Sequence, residues 1–318
     1  MDENHKEVLV VEGILKAYKI KKENTGSYLQ RYQNFWGYLF ITPQILGLVC
    51  FTIGPIFVTV YLCFVNWDFI NAPIFVGLEN FTKLFTDTIF YKTITNTLVF
   101  VIGIVPLTTS LALFLAILGN RKIRFLGLYK ASLFLPMVTS SIAISLIWYW
   151  IYAPDIGLLN IALSFFGING PNWLRDPVFT KPALIILCVW RGVGYSFLLF
   201  LAGLKGISHT YYEAAEIDGA NERQQFFYIT FPLLSPVTFF ILVTSFIGAF
   251  GIFNEAYMLT NGGPMYSSYT MMLYLYNYAF KFREMGQAAV VSIVLAAVQI
   301  AVAAVQFGAS KKWVNYDV

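Results

Sequence analysis

The chain has 318 residues, 58% hydrophobic, 18% aromatic and 12% charged, with a mean hydropathy of +0.66. Soluble chains average roughly 25% charged residues, so about half the charge needed to cover a water-facing surface is present, which excludes disorder and argues against a soluble enzyme domain. The net charge of +4, carried on short loops, excludes a nucleic-acid-binding stripe.

A membrane-crossing helix needs roughly 20 mostly apolar residues. Six stretches qualify: about 37–65, 95–119, 131–152, 183–204, 237–259 and 287–308. The expected fold is therefore all-α and polytopic, with a tail over 1–35, a six-helix domain over 36–308 and a second tail over 309–318. The tail before the first span holds no apolar core near its start, so it does not read as a secretory signal peptide. Pro43, Gly47, Gly54 and Pro55 predict a kinked or broken first span.

Orientation follows from Lys and Arg outside the spans. One side carries Lys6, Lys16, Lys19, Lys21, Lys22, Arg31, Arg121, Lys122, Arg124, Lys130, Lys205, Arg223, Lys311 and Lys312. The other carries Lys83, Lys92, Arg175, Lys181, Lys281 and Arg283. This asymmetry predicts that both termini are cytoplasmic. Trp148, Tyr149, Trp150 and Tyr152 close the third span and Tyr257 stands near the end of the fifth, as an interfacial aromatic belt would.

The predicted outer loops follow in order. Asn80-Phe-Thr in the first is formally a glycosylation sequon, to which no weight attaches. The second, 153–182, contains the apolar piece Ile156 to Phe166, suited to a helix lying on the membrane. The third holds the turn signal Thr260-Asn-Gly-Gly-Pro264, then Tyr274, Tyr276, Tyr278 and Phe280. Cys50, Cys63 and Cys188 lie in apolar runs without paired spacing and read as packing residues; with only His5 and His209 as histidines, no metal centre is indicated.

The inner segment 205–236 is unusually long. Thr210 with Glu213 forms a capping-box pattern, Asp218-Gly219 a stop, and Asn221 with Gln224 a second start, with Pro232 and Pro236 ending the second helix. This predicts a helix–glycine–helix hairpin. Ala214, Ala215, Gly219 and Ala220 permit close approach of another surface, with Tyr211 and Phe227 as large anchors; packing only on its own bundle is the equal alternative.

Glu213-Ala214-Ala215, then Gly219, Ile229 and Phe231-Pro232 at their spacing, resembles the EAA signature of membrane subunits of binding-protein-dependent ABC importers. The family pattern has Leu where this chain has Phe231. Asp218-Gly219-Ala220, the turn at 260–264, Gly157-Leu-Leu-Asn160, Trp173-Leu-Arg-Asp-Pro177 and Gly77-Leu-Glu-Asn80 are similar to its maltose and multiple-sugar permease branch. The likeness runs from about residue 36 to 308.

The resemblance implies that the hairpin is a coupling helix docking on a cytoplasmic ATPase, with Glu213 and Gly219 at its characteristic positions. It also implies a homologous second permease, two ATPase subunits, an extracytoplasmic binding protein delivering a sugar, and a prokaryotic inner membrane. The sequence contains no G-x-x-x-x-G-K-[ST] phosphate loop, so ATP would be bound by another polypeptide and the chain itself is not an enzyme.

Charge near the bilayer centre costs roughly 2.5–3.5 kcal/mol on insertion scales, so Arg191 and Glu255 need partners. Arg191 lies about 12 Å into the fourth span at 1.5 Å per residue. Three roles remain open for it: pairing with Glu255, bonding to backbone of a broken helix, or contacting ligand. Phe246, Phe250, Phe253, Asn254 and Tyr257 recur at helical spacing on the fifth span and, with Arg191, are the substrate-path candidates, rings and amide suiting a sugar. Ring packing between helices is the alternative for each. A glycerol phosphate importer, which Arg191 would suit, and an ion-coupled secondary transporter are the rival functions. The latter lacks an acidic residue at mid-depth. An intramembrane enzyme is weakest, because no span holds a constellation of His, Cys or Asp.

Overall fold

The structure, a computed structural model, describes residues 29–121 and 124–315. Residues 1–28 of the expected N-terminal tail and Lys122 of the charge tally lie outside them. The chain divides into two compact units, one ending at Thr59 and the other beginning at Val60.

The first unit is carried by a helix, Leu29–Leu62 (α1), whose most apolar stretch holds no buried residue. It runs on as one helix through the prolines and glycines expected to kink or break it. Pro55 has no N–H to give, and the ladder adjusts through a π-helical turn, Val49–Ile53, in which the Gly54 N–H reaches the Val49 carbonyl. Cys50 sits exposed on this helix rather than packed.

In the second unit a short antiparallel pair, Val65–Asn66 (β1) with Ile74–Phe75 (β2), precedes a helix at Glu79–Thr86 (α2). Thr88–Asn120 (α3) and Pro177–Gly206 (α7) are long, apolar and packed on each other as the central pair. Between them come Leu126–Val138 (α4), Ser141–Ile151 (α5) and Leu158–Ser164 (α6). After α7 follow His209–Ile217 (α8), Glu222–Leu233 (α9), Ser235–Phe250 (α10), Asn254–Thr260 (α11), Met271–Tyr276 (α12) and Met285–Ser310 (α13). Among the described residues four helices could each cross a membrane, or six spans result if two bent pairs each count as one. The bent pairs are α4 with α5, at 104°, and α9 with α10, at 61°.

Packing follows the rule for bundles in lipid, where small residues let backbones meet. A Cβ on Gly194 of α7 would sit 2.1 Å from the Leu133 carbonyl oxygen of α4. Ala112 and Ala116 of α3 are fully buried against Phe197, Phe200 and Leu204. Two of the five predicted belt residues belong to this interior. Tyr152 is fully buried and donates to the Ala183 carbonyl (2.7 Å), with Trp148 against it, while Trp150 stays 78% exposed.

The motif asparagines Asn80, in α2, and Asn160, in α6, are locks. Asn80 is buried, donating to the carbonyls of Cys63 and Val65 (3.0 Å each), and its own carbonyl accepts from Gln287. Asn160 donates to the carbonyls of Pro154 and Pro171 and accepts the Trp173 indole N–H at 2.7 Å, while Asp176 caps α7. Two separate sequence motifs thus make one clasp, from which the short helix α6 projects Leu158 and Ile161, flanked by Ile156, Phe165 and Phe166, all exposed.

Candidate functional site

Two features stand out: a mid-bundle cavity and the hairpin. The cavity exists because the predicted fifth span is not one helix. α10 stops at Phe250, and Gly251, Ile252 and Phe253 are irregular before α11 begins. Non-helical backbone at membrane depth is tolerated where it is buried in protein or lines a cavity. Here the Ile252 carbonyl is satisfied by the Thr270 hydroxyl (2.9 Å), and Gly251, Ile252 and Phe253 all line a space of about 370 Å³. That volume falls at the small end of ligand pockets, roughly 300–1,000 Å³.

The rest of the lining comes from the middle of α3 and α7 and from α10: Thr108, Arg191, Tyr195, Ser196, Thr244 and Ser245 among others. Arg191 Nη1 bonds Glu255 Oε1, closing an ion pair between α7 and α11. Glu255 is 6% exposed, and its pairing answers the cost of a charge at this depth. Glu255 therefore stands on a separate short helix and not, as expected, on the outer end of a continuous span. Asn254 Nδ2 donates to Ser141 Oγ (3.0 Å), so the first residues of α5 and α11, each following a helix break, meet at the cavity. Thr108 is 3% exposed and its Oγ1 has no hydrogen-bond partner among the described residues.

Of the substrate-path candidates, Arg191, Phe253 and Asn254 line the cavity. Phe246 and Phe250 do not: they border a small gap against Gln299, Val302 and Gln306 of α13. Tyr257 stacks on Phe253 at 5.3 Å and lies outside the lining. Helical spacing joined these residues into one stripe, and the irregular turn at 251–253 splits that stripe in two. Thr108, Tyr195, Ser196, Thr244 and Ser245 were missed. Hydroxyls and small residues inside apolar helices are ordinary packing groups, and only Thr108, set two residues after Pro106 in α3, carried any local signal.

The hairpin forms at α8 and α9. Its first helix is capped by Ser208, whose hydroxyl accepts from the Thr210 N–H, and not by the Thr210–Glu213 box. The stop is as expected: Gly219 has φ +79°, a conformation that costs glycine little. The Asn221–Gln224 capping box is present in both directions, at 2.9 and 3.0 Å. Pro232 does not end α9; a π-helical segment, Phe226–Thr230, carries the helix past it and the break falls at Leu234.

Tyr212 and Thr230 hydroxyls join the two helices at 2.9 Å, and Arg121 pairs with Glu222 at 3.4 Å, linking the hairpin to the end of α3. Large apolar side chains are among what the hairpin leaves uncovered: Tyr211, Ile217, Phe227 and Tyr228 are 45%, 87%, 55% and 80% exposed. Glu213, Ala214, Asp218 and Gly219 are exposed as well, with Ala215 and Ala220 half-buried.

Residues 108–312, which span the cavity, the hairpin and α13, match the family described as binding-protein-dependent transport system inner membrane components. The chain is 37% identical to a probable ABC transporter permease protein, YesP, of Bacillus subtilis, over 90% of this chain and 94% of that protein. It is 36% identical to the lactose transport system permease protein LacF of Rhizobium radiobacter, over 90% and 97%. A chain of a bacterial alginate ABC transporter, solved in complex with an alginate pentasaccharide-bound periplasmic protein, shares its fold, with a TM-score of 0.75 at 21% identity over 88% of this chain and 96% of that one. The chain belongs to the family of inner membrane components of binding-protein-dependent transport systems, the permease subunits of ABC transporters.

Proposed function

We propose that this chain is a permease subunit of an ATP-driven importer for a sugar or oligosaccharide, with six spans and both termini in the cytoplasm. It pairs with a second permease, receives substrate from an extracytoplasmic binding protein, and is driven by two ATPase subunits. The observation that carries the reading is the hairpin: a pair of helices, each capped at its N-terminus, with exposed large side chains, in a chain whose sequence has no phosphate loop. Glu213, Ala214, Ala215, Asp218, Gly219 and Ala220 form the face a partner groove would cover, anchored by Tyr211 and Phe227. ATP-driven closure of that partner pulls the hairpin and swings the helices between two states.

A sugar as cargo is supported by the name of the lactose relative and by the cavity chemistry. Hydroxyls, an amide and an aromatic ring around a mid-bundle space suit a neutral polyol. The pairing of Arg191 with Glu255 argues against a phosphate-bearing cargo, because the one cation among the described lining residues is already paired with a carboxylate. The test is uptake by the assembled importer with Asn254→Ala. Slower uptake with ATPase binding intact is expected, and unchanged uptake would retire the cavity as the substrate site.

A further inference from the structure

Beyond the cavity, an aromatic staircase leaves its rim. Phe253, the cavity's ring, lies 4.8 Å from Tyr276 and 5.3 Å from Tyr257, Tyr257 and Tyr276 are 5.4 Å apart, and Tyr276 is 5.2 Å from Phe280. Exposure rises along it: Phe253 and Tyr276 are half-buried, Tyr257 is 37% exposed and Phe280 63%. The top step adjoins a polar surface, where Lys281 and Arg283 are exposed and Glu284 pairs with Lys83.

Core rings in this bundle, such as Phe90 against Tyr274, are buried together. These four are in contact with one another yet progressively uncovered, so burial does not explain their alignment. The Tyr257 and Tyr276 hydroxyls hydrogen-bond each other, and the pair keeps one O–H and its lone pairs to offer outward. A pyranose would use both properties: its C–H face lies on the electron-rich ring face, and its hydroxyl edge meets the tyrosine hydroxyls. Rings about 5 Å apart also permit one sugar unit to leave a step as it reaches the next.

We propose that Tyr257, Tyr276 and Phe280 form a sugar-stacking track that conducts a carbohydrate between the bundle surface and the cavity, a binding site separate from the Arg191–Asn254 lining. It rests on the carbohydrate reading above. The experiment uses the complete importer in proteoliposomes, with a defined panel of mono- to pentasaccharides as cargo, quantified inside the vesicles by mass spectrometry.

Replacing rings by leucine keeps apolar bulk but removes the π face. Tyr276→Leu with Phe280→Leu is expected to lower the uptake rate about tenfold, the sum of two lost stacking contacts. Tyr276→Phe with Phe280→Tyr is expected to keep at least half the rate, and every variant to co-purify with the ATPase subunits as the parent does. Parent-like uptake in the leucine pair, while Asn254→Ala is slow, overturns the track and leaves the cavity standing. No uptake of any panel sugar by the parent importer overturns the carbohydrate reading itself.

Discussion

The ion pair between Arg191 and Glu255 yields the sharpest energetic prediction. Glu255→Leu leaves the Arg191 guanidinium without its carboxylate partner inside the bundle. Removing one partner of a buried pair costs about 3–5 kcal/mol. Here the Glu255 side chain is 8% exposed but that of Arg191 is 32% exposed, beside a cavity. Partial screening lowers the expected loss to about 2–3 kcal/mol. With roughly 2–4 °C per kcal/mol for a unit of this size, the thermal midpoint should fall by about 4–12 °C.

The assay is a double-mutant cycle on the purified protein, followed by thermal unfolding in detergent. Arg191→Met with Glu255→Leu removes both charges and keeps the volume, so it should recover most of the stability lost in either single variant, a coupling of about 2 kcal/mol. Strictly additive losses, or single variants within 1 °C of the parent, would refute the claim that each charge is held there by the other.

Thr108→Val should keep the parental uptake rate and hold or raise the thermal midpoint, because the hydroxyl it removes is buried without a partner among the described residues; a lower midpoint would contradict that. Gly219→Asn should keep transport and Gly219→Val should lose it: space is open there, but φ +79° costs a non-glycine residue about 1–2 kcal/mol, asparagine least and β-branched residues most. ATPase co-purification separates that loss from unfolding. Gly194→Val should prevent folding, since its Cβ would meet a backbone oxygen at 2.1 Å; normal expression and a parental melting profile would contradict that packing. Asn160→Leu should expose the 153–176 clasp to protease, having stripped partners from two carbonyls and one indole, at about 1–3 kcal/mol.

The apolar segments, the Gly219 stop and the Asn221 cap were legible in the sequence because each rests on local chemistry. The hairpin's exposure of Tyr211 and Phe227 followed from the same pattern. The breaks in the third and fifth apolar segments were not legible. Gly251-Ile252-Phe253 is as apolar as the helix it interrupts, so hydropathy runs through it without a mark, and Phe250 was assigned a face it does not present. What holds the break open is distant: Thr270 supplies the bond that Ile252 lost, and Arg191 anchors Glu255 beyond it. Asn160 and Trp173 were visible as motif residues, but their mutual hydrogen bond depends on a loop path that no local pattern encodes.

The most direct test of the hairpin as a handle moved by a separate nucleotide engine is transport in proteoliposomes built with and without the ATPase subunits. Cargo should enter only when those subunits, ATP and the binding protein are all supplied, and Gly219→Val should silence uptake in the complete assembly. Steady accumulation of cargo by this chain in vesicles lacking any ATPase subunit would contradict it.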